Sequence, residues 1–421
     1  MQPLTLLELF KYFLILGATA FGGPLAIIER IRFDLVLKKN WMQMDEFKNI
    51  FGYSQVAPGP LAFQVAVYFG YYRKGFFGAL VSGFGLVFPS FLLVLAFSVF
   101  YKEFHDVEYV RYAMYGLSPV IIAIIAKSGL NLSKTIFQKD VFMYVVFFLS
   151  IFLTIAIKIQ IIYVVIGFAI ISLIFHLIKR KIKGDTLNSF IGFLLFMFTT
   201  HFTHAVASFQ TFVSLRAKGS SLSFANFVSL CGKSFYAIIL TSLFSANLLA
   251  MALLFLKVGS LTYGSGFVIV GVLRQEVVDN LHWLNSKEFI DGIAFGQITP
   301  GPVVITSTFI GYMTSGFIGS IVSTVCIFLP TFVFVLILAQ KIHKFKDNFY
   351  LKSLIKGANA AALGAIISTA FILSKDALID ITSIILFLAA LLILFLTKFK
   401  DIYAILIASL AGILIKILLH I

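Results

Sequence analysis

The triplet proline-glycine-proline occurs twice in this chain, as Pro58-Gly59-Pro60 and as Pro300-Gly301-Pro302, 242 positions apart. Both copies lie in apolar sequence, where proline removes a backbone donor and glycine relaxes the chain. The flanking residues match in the same frame: Gly17 with Gly259, Gly22 with Gly264, Trp41 with Trp283, Glu46 with Glu288 and Gln55 with Gln297. A duplicated membrane unit with helix breaks at matched depths is typical of secondary transporters.

The composition is that of a membrane protein. Apolar residues make up 60% of the chain and charged residues 12%, and the mean hydropathy is +1.02. A soluble domain has about twice that charged fraction. Because the apolar runs are too long for barrel strands, we expect an all-α polytopic protein. The first apolar stretch belongs to the duplicated unit, so we interpret it as a retained span and not as a signal peptide.

Charge and cysteine content point away from several classes of protein. The net charge is +15, but the basic residues are scattered through short loops, which favours chain orientation over nucleic-acid binding. Cys231 and Cys326 show neither metal-ligand spacing nor a disulfide framework. His201 and His204 have no acidic partner nearby in the sequence. We therefore expect no metal, no cofactor and no nucleic-acid partner.

The chain divides into a first repeat at 1–180, a connector at 181–242 with two apolar runs, and a second repeat at 243–421. The loops between spans fall into two sets, one for each side of the membrane. The first set carries twelve basic residues in the first repeat and three in the second, whereas the other set carries three basic residues in the first repeat and six in the second. Under the positive-inside rule, this change of sides predicts two inverted-topology repeats. We expect twelve crossings and two re-entrant hairpins at the triplets, in a multi-pass protein of the plasma membrane.

The triplets predict where an anion would bind. A proline in the first turn of a helix loses no hydrogen bond, so Pro60 and Pro302 should each open a half-helix. The free N–H groups of 61–63 and 303–305 would then point into the gap. A helix N-terminus carries about half a positive charge and binds oxyanions readily. Inverted repeats would bring the two N-termini together near the middle of the membrane.

Polar and small residues near the breaks complete the expected substrate site. Glutamine amides and threonine or serine hydroxyls can donate to an anion, or they can bond to carbonyl groups that the breaks leave free. The glycines can instead serve close helix packing. The expected site consists of Gly22, Gly23, Gln55, Pro58, Gly59, Pro60, Gln64, Gly264, Ser265, Gly266, Gln297, Thr299, Pro300, Gly301, Pro302 and Thr306.

Three charged residues near the breaks are candidates for coupling transport to an ion. Lys257 lies eight positions before Ser265, within an apolar stretch. Glu46 and Glu288 stand at the start of the two re-entrant segments. A charged residue inside a membrane segment favours a role in an ion or proton pathway. The alternative for both glutamates is stabilisation of a helix N-terminus.

The chain resembles the chromate ion transporter family in its long, two-domain form. The matching stretches are FGGPLAII (21–28), DLVLKKNWM (34–42), SQVAPGPLAFQVAVYFGY (54–71) and FPSFLLV (88–94), then YGSGFVIV (263–270), HWLNSKEFIDGIAFGQITPGPVVITSTFIGY (282–312) and FLPTFVFV (328–335). The resemblance covers nearly the whole chain except the connector. It implies transport of chromate, usually as efflux that confers resistance, with sulfate as a related oxyanion. Tyr263 and Gly271 depart from the family pattern, which bears on substrate choice.

Two other classes of function compete with a secondary oxyanion transporter. A passive anion channel would need a continuous polar path, whereas the breaks here lie at two matched points. An enzyme would show clustered acids or histidines, and the sequence has no such cluster, so we expect no enzyme activity. Nothing resembles a phosphate-binding loop, which argues against direct coupling to ATP. The expected partners are the lipid bilayer, a small oxyanion such as chromate or sulfate, and a second copy of the chain if it forms a homo-oligomer.

Overall fold

The structure, a computed structural model, describes residues 4–21, 23–54, 58–137, 140–181, 246–260, 266–341, 348–397 and 401–419. These residues form fourteen α-helices and, within the described ranges, no strand. Six helical segments are long and apolar enough to cross a membrane, among them Leu61–Phe104 and Phe349–Ala377. The prediction of an all-α polytopic membrane protein is confirmed. The connector at 181–242 lies almost entirely outside the described residues, so twelve crossings stay a prediction.

The order of helices is the same before and after the connector. The first seven helices are α1 (Leu6–Thr19), α2 (Gly23–Arg32), α3 (Met44–Ser54), α4 (Leu61–Phe104), α5 (Glu108–Ile136), α6 (Val141–Ile155) and α7 (Ile161–Lys181). The second seven are α8 (Ala246–Ser260), α9 (Gly266–Leu273), α10 (Ser286–Ile298), α11 (Thr306–Lys341), α12 (Phe349–Ala377), α13 (Ile381–Leu396) and α14 (Asp401–Leu419). Even the π-helical extensions of α2 and α9 recur, at Phe33–Lys38 and Arg274–Asn280.

Local sequence explains where several helices begin. The Thr5 hydroxyl accepts a hydrogen bond from Glu8 N, and Thr5 N donates one to the Glu8 carboxylate, which together form a capping box at the start of α1. Asn285 and Glu288 form the same box at the start of α10. Asp380 caps α13 by accepting a hydrogen bond from the Ser383 amide. These short polar side chains satisfy amide groups that have no partner inside the helix.

Each of the two longest helices turns back on itself at a glycine. Lys74 and Gly75 interrupt α4 with φ of −142° and 60°, and Ser315 and Gly316 interrupt α11 with φ of −142° and 63°. The positive φ at the second position is a conformation that glycine adopts without steric cost. We call residues 61–73 of α4 its short arm and 76–104 its long arm; the arms of α11 are 306–314 and 317–341.

Each short arm pairs with the helix before it to form a re-entrant hairpin. In the first hairpin, Arg73 Nη1 donates to Trp41 O at 2.6 Å, and Tyr72 donates to Glu46. The end of the short arm therefore returns to the point where α3 begins. In the second hairpin, a Cβ at Gly292 would lie 2.4 Å from the ring of Phe309. The segments interrupted by the triplets thus enter and return, as the sequence predicts.

The two halves of the chain interleave in two helix bundles. In the hairpin bundle, α1 packs on α4, α8 packs on α11, and α4 packs on α11. In the scaffold bundle, α5 packs against α13 and α14, and α12 packs against α6 and α7. Matched glycines allow close contact where α5 crosses α14 and where α12 crosses α7, because Gly116 lies against Ala408 O and Gly357 against Phe168 O. Close approach at small residues is how helices associate within lipid.

Candidate functional site

The first triplet forms a buried turn between the two helices of its hairpin. Pro58, Gly59 and Pro60 are all buried, and Gly59 has a φ of +126°. Pro60 is the N-cap of α4, with extended backbone angles. The first helical bond runs from Gln64 N to Pro60 O at 3.0 Å, so the amides of 61–63 have no partner within the helix.

The second triplet forms a similar turn with one difference. Gly301 has a φ of +113°, and Pro302 caps a short 3-10 turn, Val303–Ile305, that leads into α11. Ile305 N bonds to Pro302 O at 3.0 Å. Two expectations were therefore wrong in detail. First, both prolines precede the helix and do not lie in its first turn. Second, only the amides of 303 and 304 are left without a helical hydrogen bond, because the tighter 3-10 turn already uses the amide of Ile305.

Each triplet is held by the long arm of the other half. Ser90 on α4 donates a hydrogen bond to Pro300 O, and Gly301 N donates to Ala20 O at 3.2 Å. Reciprocally, a Cβ at Gly59 would lie 2.0 Å from Thr331 Oγ1 on α11. Only glycine fits such a contact. Neither Ser90 nor Thr331 was predicted from the sequence, although each directly follows one of the matched helix prolines at 89 and 330.

Three of the expected polar ligands bond to nearby backbone. Gln64 Nε2 donates to Gly59 O at 2.9 Å, Thr299 Oγ1 donates to Gly296 O at 3.1 Å, and Thr306 Oγ1 donates to Val303 O at 2.9 Å. These bonds match the alternative interpretation, in which the side chains satisfy carbonyls near the breaks. A hydroxyl oxygen keeps lone pairs but has used its single donor, so neither threonine offers a donor to an anion in this state.

Other buried donors around the triplets have no partner among the described residues. These are the amide nitrogen of Gln297 and the hydroxyls of Ser307 and Thr331. Buried polar groups without a partner are rare and call for an explanation. All three can donate a hydrogen bond, which is the chemistry that an oxyanion needs. The predicted residues Gly22, Gln55, Gly264 and Ser265 lie outside the described residues.

Helix N-termini also come together at the second triplet. Helix α9 begins at Gly266, where a Cβ would lie 3.6 Å from the side chains of both Val303 and Val304. The start of α9 and the 3-10 turn that leads into α11 are therefore neighbours. In the first half, α2 begins at Gly23, with a φ of +80° and nothing within 4 Å of a Cβ. Such ends carry partial positive charge and open amides.

The three coupling candidates take part in ordinary contacts. Lys257 Nζ pairs with Glu276 Oε1 at 2.7 Å, and the lysine side chain is 42% exposed. Glu46 accepts a hydrogen bond from Gln43 N at 3.1 Å, and Glu288 accepts one from Asn285 N at 2.8 Å. Both glutamates thus cap their helices, as the alternative reading holds. Their role in coupling stays a prediction.

No described part of the chain gathers three or more metal-ligating side chains. His201 and His204 lie outside the described residues. A cavity of about 240 Å³ lies between α7, α9 and α12, lined by aliphatic groups such as Ile162, Val268 and Leu354. Ser260 is its one polar lining residue. This cavity offers an anion no charge and few donors, so the triplets remain the better candidate site.

Comparison with known proteins places this sequence in a family. The family model described as "Chromate transporter" matches residues 7–173 and 249–413, which is more than half of the chain. A probable chromate transport protein of Synechococcus elongatus is 32% identical over 92% of this chain and 89% of its own length. A chromate transport protein of Cupriavidus metallidurans is 30% identical over 99% and 94%. An uncharacterized transporter of Methanocaldococcus jannaschii is 29% identical over 97% and 94%. No solved structure matches.

Proposed function

The chain belongs to the chromate transporter family, and on that premise we propose that it is a secondary transporter of a small divalent oxyanion. Chromate is the proposed substrate and efflux across the plasma membrane the proposed direction, with sulfate as a related or counter substrate. The relatives named above as chromate transport proteins support this choice. The site and the division into two repeats and a connector are part of the same proposal.

The observation that carries the proposal is the reciprocal docking of the two triplets. Gly59 lies against Thr331, and Pro300 accepts a hydrogen bond from Ser90, so each break sits against the other half of the chain. Each triplet precedes a helix start with open amides, and the unpaired Gln297 amide belongs to the same region. A dehydrated pocket of amide and hydroxyl donors can bind an oxyanion without a buried arginine.

The path of the long arm of α4 supports inverted repeats. This arm starts beside the open end of the first hairpin, where Arg73 bonds to Trp41. It ends beside the open end of the second hairpin, where Tyr101 bonds to Asp291. An arm of this length rises about 43 Å, enough to cross a bilayer. The two hairpins therefore open toward opposite ends of one spanning helix, which is the arrangement that inverted repeats require.

The interleaved bundles suggest which parts move. Rocking one half of the chain against the other would break the packing of α5 on α14 and of α12 on α7. Movement of the hairpin bundle against the scaffold bundle leaves both sets of contacts intact. Alternating access in the proposed mechanism is therefore a motion between bundles, and the anion travels with the hairpins that bind it.

Transport by the purified protein in liposomes tests the proposal. Labelled chromate and sulfate should enter saturably and exchange with unlabelled anion. Gln297→Ala, Gln55→Ala and Thr331→Val should each lower uptake about tenfold, because each removes a donor worth about 1.5 kcal/mol to a charged group. The control is Thr314→Val, which removes a hydroxyl that bonds to Ile310 O. Wild-type uptake in all three site variants would remove the triplets as the binding site.

A passive anion channel is the second candidate function, and the same liposomes separate it from a transporter. Unlabelled sulfate on the far side accelerates uptake of labelled anion by a transporter, because the loaded carrier returns faster than the empty one. A channel shows no such acceleration, and its anion flux does not saturate in the same range of anion concentration. The paired breaks favour the transporter, since the structure concentrates its open amides at two matched points.

A further inference from the structure

Asp291 is a buried carboxylate that the site described above does not use. It lies on α10, the entering helix of the second hairpin, and is 1% exposed. Tyr101 donates its hydroxyl to Oδ2 at 2.8 Å, whereas Oδ1 has no partner among the described residues. Burying an ionised group in a membrane is costly, and such groups mark ion or proton pathways. Among the residues that the structure describes, neither capping nor an ion pair accounts for this carboxylate.

The position breaks the match between the two halves. In the frame that pairs Gln55 with Gln297, the counterpart of Asp291 is Asn49. An asparagine amide has nearly the same shape as a carboxyl group but does not titrate. At this position the first hairpin therefore carries a group that cannot exchange a proton, and the second hairpin carries one that can.

Asp291 lies where the two bundles meet. Helix α10 contacts α4 and α11 of the hairpin bundle, and it also contacts α5, α12 and α14 of the scaffold bundle. At 1.5 Å per residue, Asp291 is about 12 Å along the helix from Thr299, next to the triplet. A change of charge at this carboxylate therefore affects both the boundary between the two bundles and the anion pocket.

Titratable groups lead from the surface to this carboxylate. From the end of α4, Tyr101 and His105 face it, and His105 pairs with the exposed Asp106 at 3.3 Å. On its own helix, Lys287 and Glu288 precede it by four and three positions, which is about one turn. Lys287 and His105 are exposed, so water reaches the outer end of this group.

We propose that Asp291 binds and releases the proton that couples oxyanion transport to a pH gradient. This inference rests on the proposed function. The carboxylate takes one proton from water at the outer end of the hairpin and becomes a neutral carboxylic acid, and release returns that proton to water. The neutral form removes a negative charge from the surroundings of the anion. A divalent anion therefore binds more tightly when Asp291 is protonated, and the two binding events are linked.

Two measurements on the same liposomes test the role of Asp291. The first is exchange of labelled for unlabelled sulfate at equal pH on both sides, and the second is sulfate uptake driven by an imposed pH gradient. Asp291→Asn installs the residue of the matched position. It should keep exchange and lose the stimulation by the gradient at least about fivefold, the lower end of usual coupling. Asp291→Glu should restore the stimulation. The control Asp376→Asn, which alters a partly exposed partner of Arg274, should keep both activities.

Tyr101→Phe tests whether Tyr101 acts on the charge of Asp291 or only on the fold. Removing the donor to the carboxylate disfavours its charged form, so the midpoint of the pH profile of uptake should move to higher pH while exchange persists. An unchanged gradient response in Asp291→Asn would overturn the inference and leave the proposed function standing. Parallel loss of exchange and gradient response, without recovery in Asp291→Glu, would also overturn it. Absence of sulfate and chromate exchange in the wild-type protein would overturn the proposed function itself.

Discussion

Ser90 and Pro300, which are 210 positions apart in the chain, are joined by a hydrogen bond from the serine hydroxyl to the proline carbonyl. The bond fixes the second triplet to the long arm of the first half. Thr331 occupies the equivalent place against Gly59 in the first triplet. The two breaks are thus positioned by contacts between the halves. A substitution at either contact should therefore change both the free energy of unfolding and the rate of transport.

Alanine at either triplet glycine should destabilise the fold. Gly59 and Gly301 have positive φ, and a Cβ would lie 2.0 Å from Thr331 Oγ1 or 2.4 Å from Ser90 Oγ. We expect Gly59→Ala and Gly301→Ala each to lower the free energy of unfolding by roughly 1–3 kcal/mol from backbone strain, with the steric contact adding to it. Unfolding in detergent, followed by circular dichroism, measures this.

The matched control for these substitutions is Gly52→Ala. Gly52 lies on α3 of the first hairpin, and a Cβ there meets nothing within 4 Å. Because alanine favours helix over glycine, this variant should be as stable as the wild type or slightly more so. Equal stability of all three variants would contradict the strained turn.

Matched loop positions should lie on opposite sides of the membrane. Lys39 and Leu281 are both exposed and precede residues with matching backbone, Asn40 with a φ of 48° and His282 with a φ of 51°. Lys39→Cys and Leu281→Cys, each in a background with Cys231→Ala and Cys326→Ala, provide single thiols. In sealed vesicles, an impermeant maleimide should label one and not the other. Labelling of both from the same side would rule out inverted repeats.

The ion pair between Lys127 and Asp401 should stabilise the scaffold bundle. It joins α5 to α14 at 2.8 Å, and the two side chains are only 18% and 32% exposed. We expect Lys127→Met to lower the free energy of unfolding by about 1–2 kcal/mol, between the values for exposed and buried pairs. The double variant with Asp401→Asn should lose less than the sum of the single losses.

An exposed pair of the same type provides the control for that measurement. Lys48 and Asp45 are 3.0 Å apart on α3, with both side chains more than half exposed. Lys48→Met should therefore change stability by less than about 1 kcal/mol. If Lys48→Met and Lys127→Met cost the same, the link between α5 and α14 does not contribute as the geometry suggests.

The backbone breaks were the most predictable part of the molecule. Proline and glycine act through their own dihedral angles, so the two triplets, with Pro60 and Pro302, mark turns whatever packs around them. Packing between distant segments left no such local signal. The crossings at Gly116 and Gly357 look in sequence like glycines within ordinary spans, and they decide that the halves interleave.

In the candidate site, too, features set by local sequence could be predicted and features set by distant contacts could not. The triplets form the backbone breaks that the sequence predicts, and the Gln297 amide nitrogen is buried without a partner among the described residues, but the binding role of these residues stays a prediction. Ser90 was missed because a serine in a helix usually bonds back to a carbonyl of its own helix, which Ser98 indeed does. Asp291 gave no repeat signal, because its counterpart in the first half is the amide Asn49, whereas Glu46 and Glu288 are the same residue in both halves.

The 3-10 turn at Val303–Ile305 has no equivalent after Pro60, where α-helix begins at once. A 3-10 turn rises about 2.0 Å per residue, so the helix that follows starts roughly 1.5 Å further from its triplet. In the proposed alternating-access mechanism, two identical hairpins would make the outward-open and inward-open forms equal in energy. Since this offset makes the two hairpins unequal, we expect the empty transporter to favour one of the two forms.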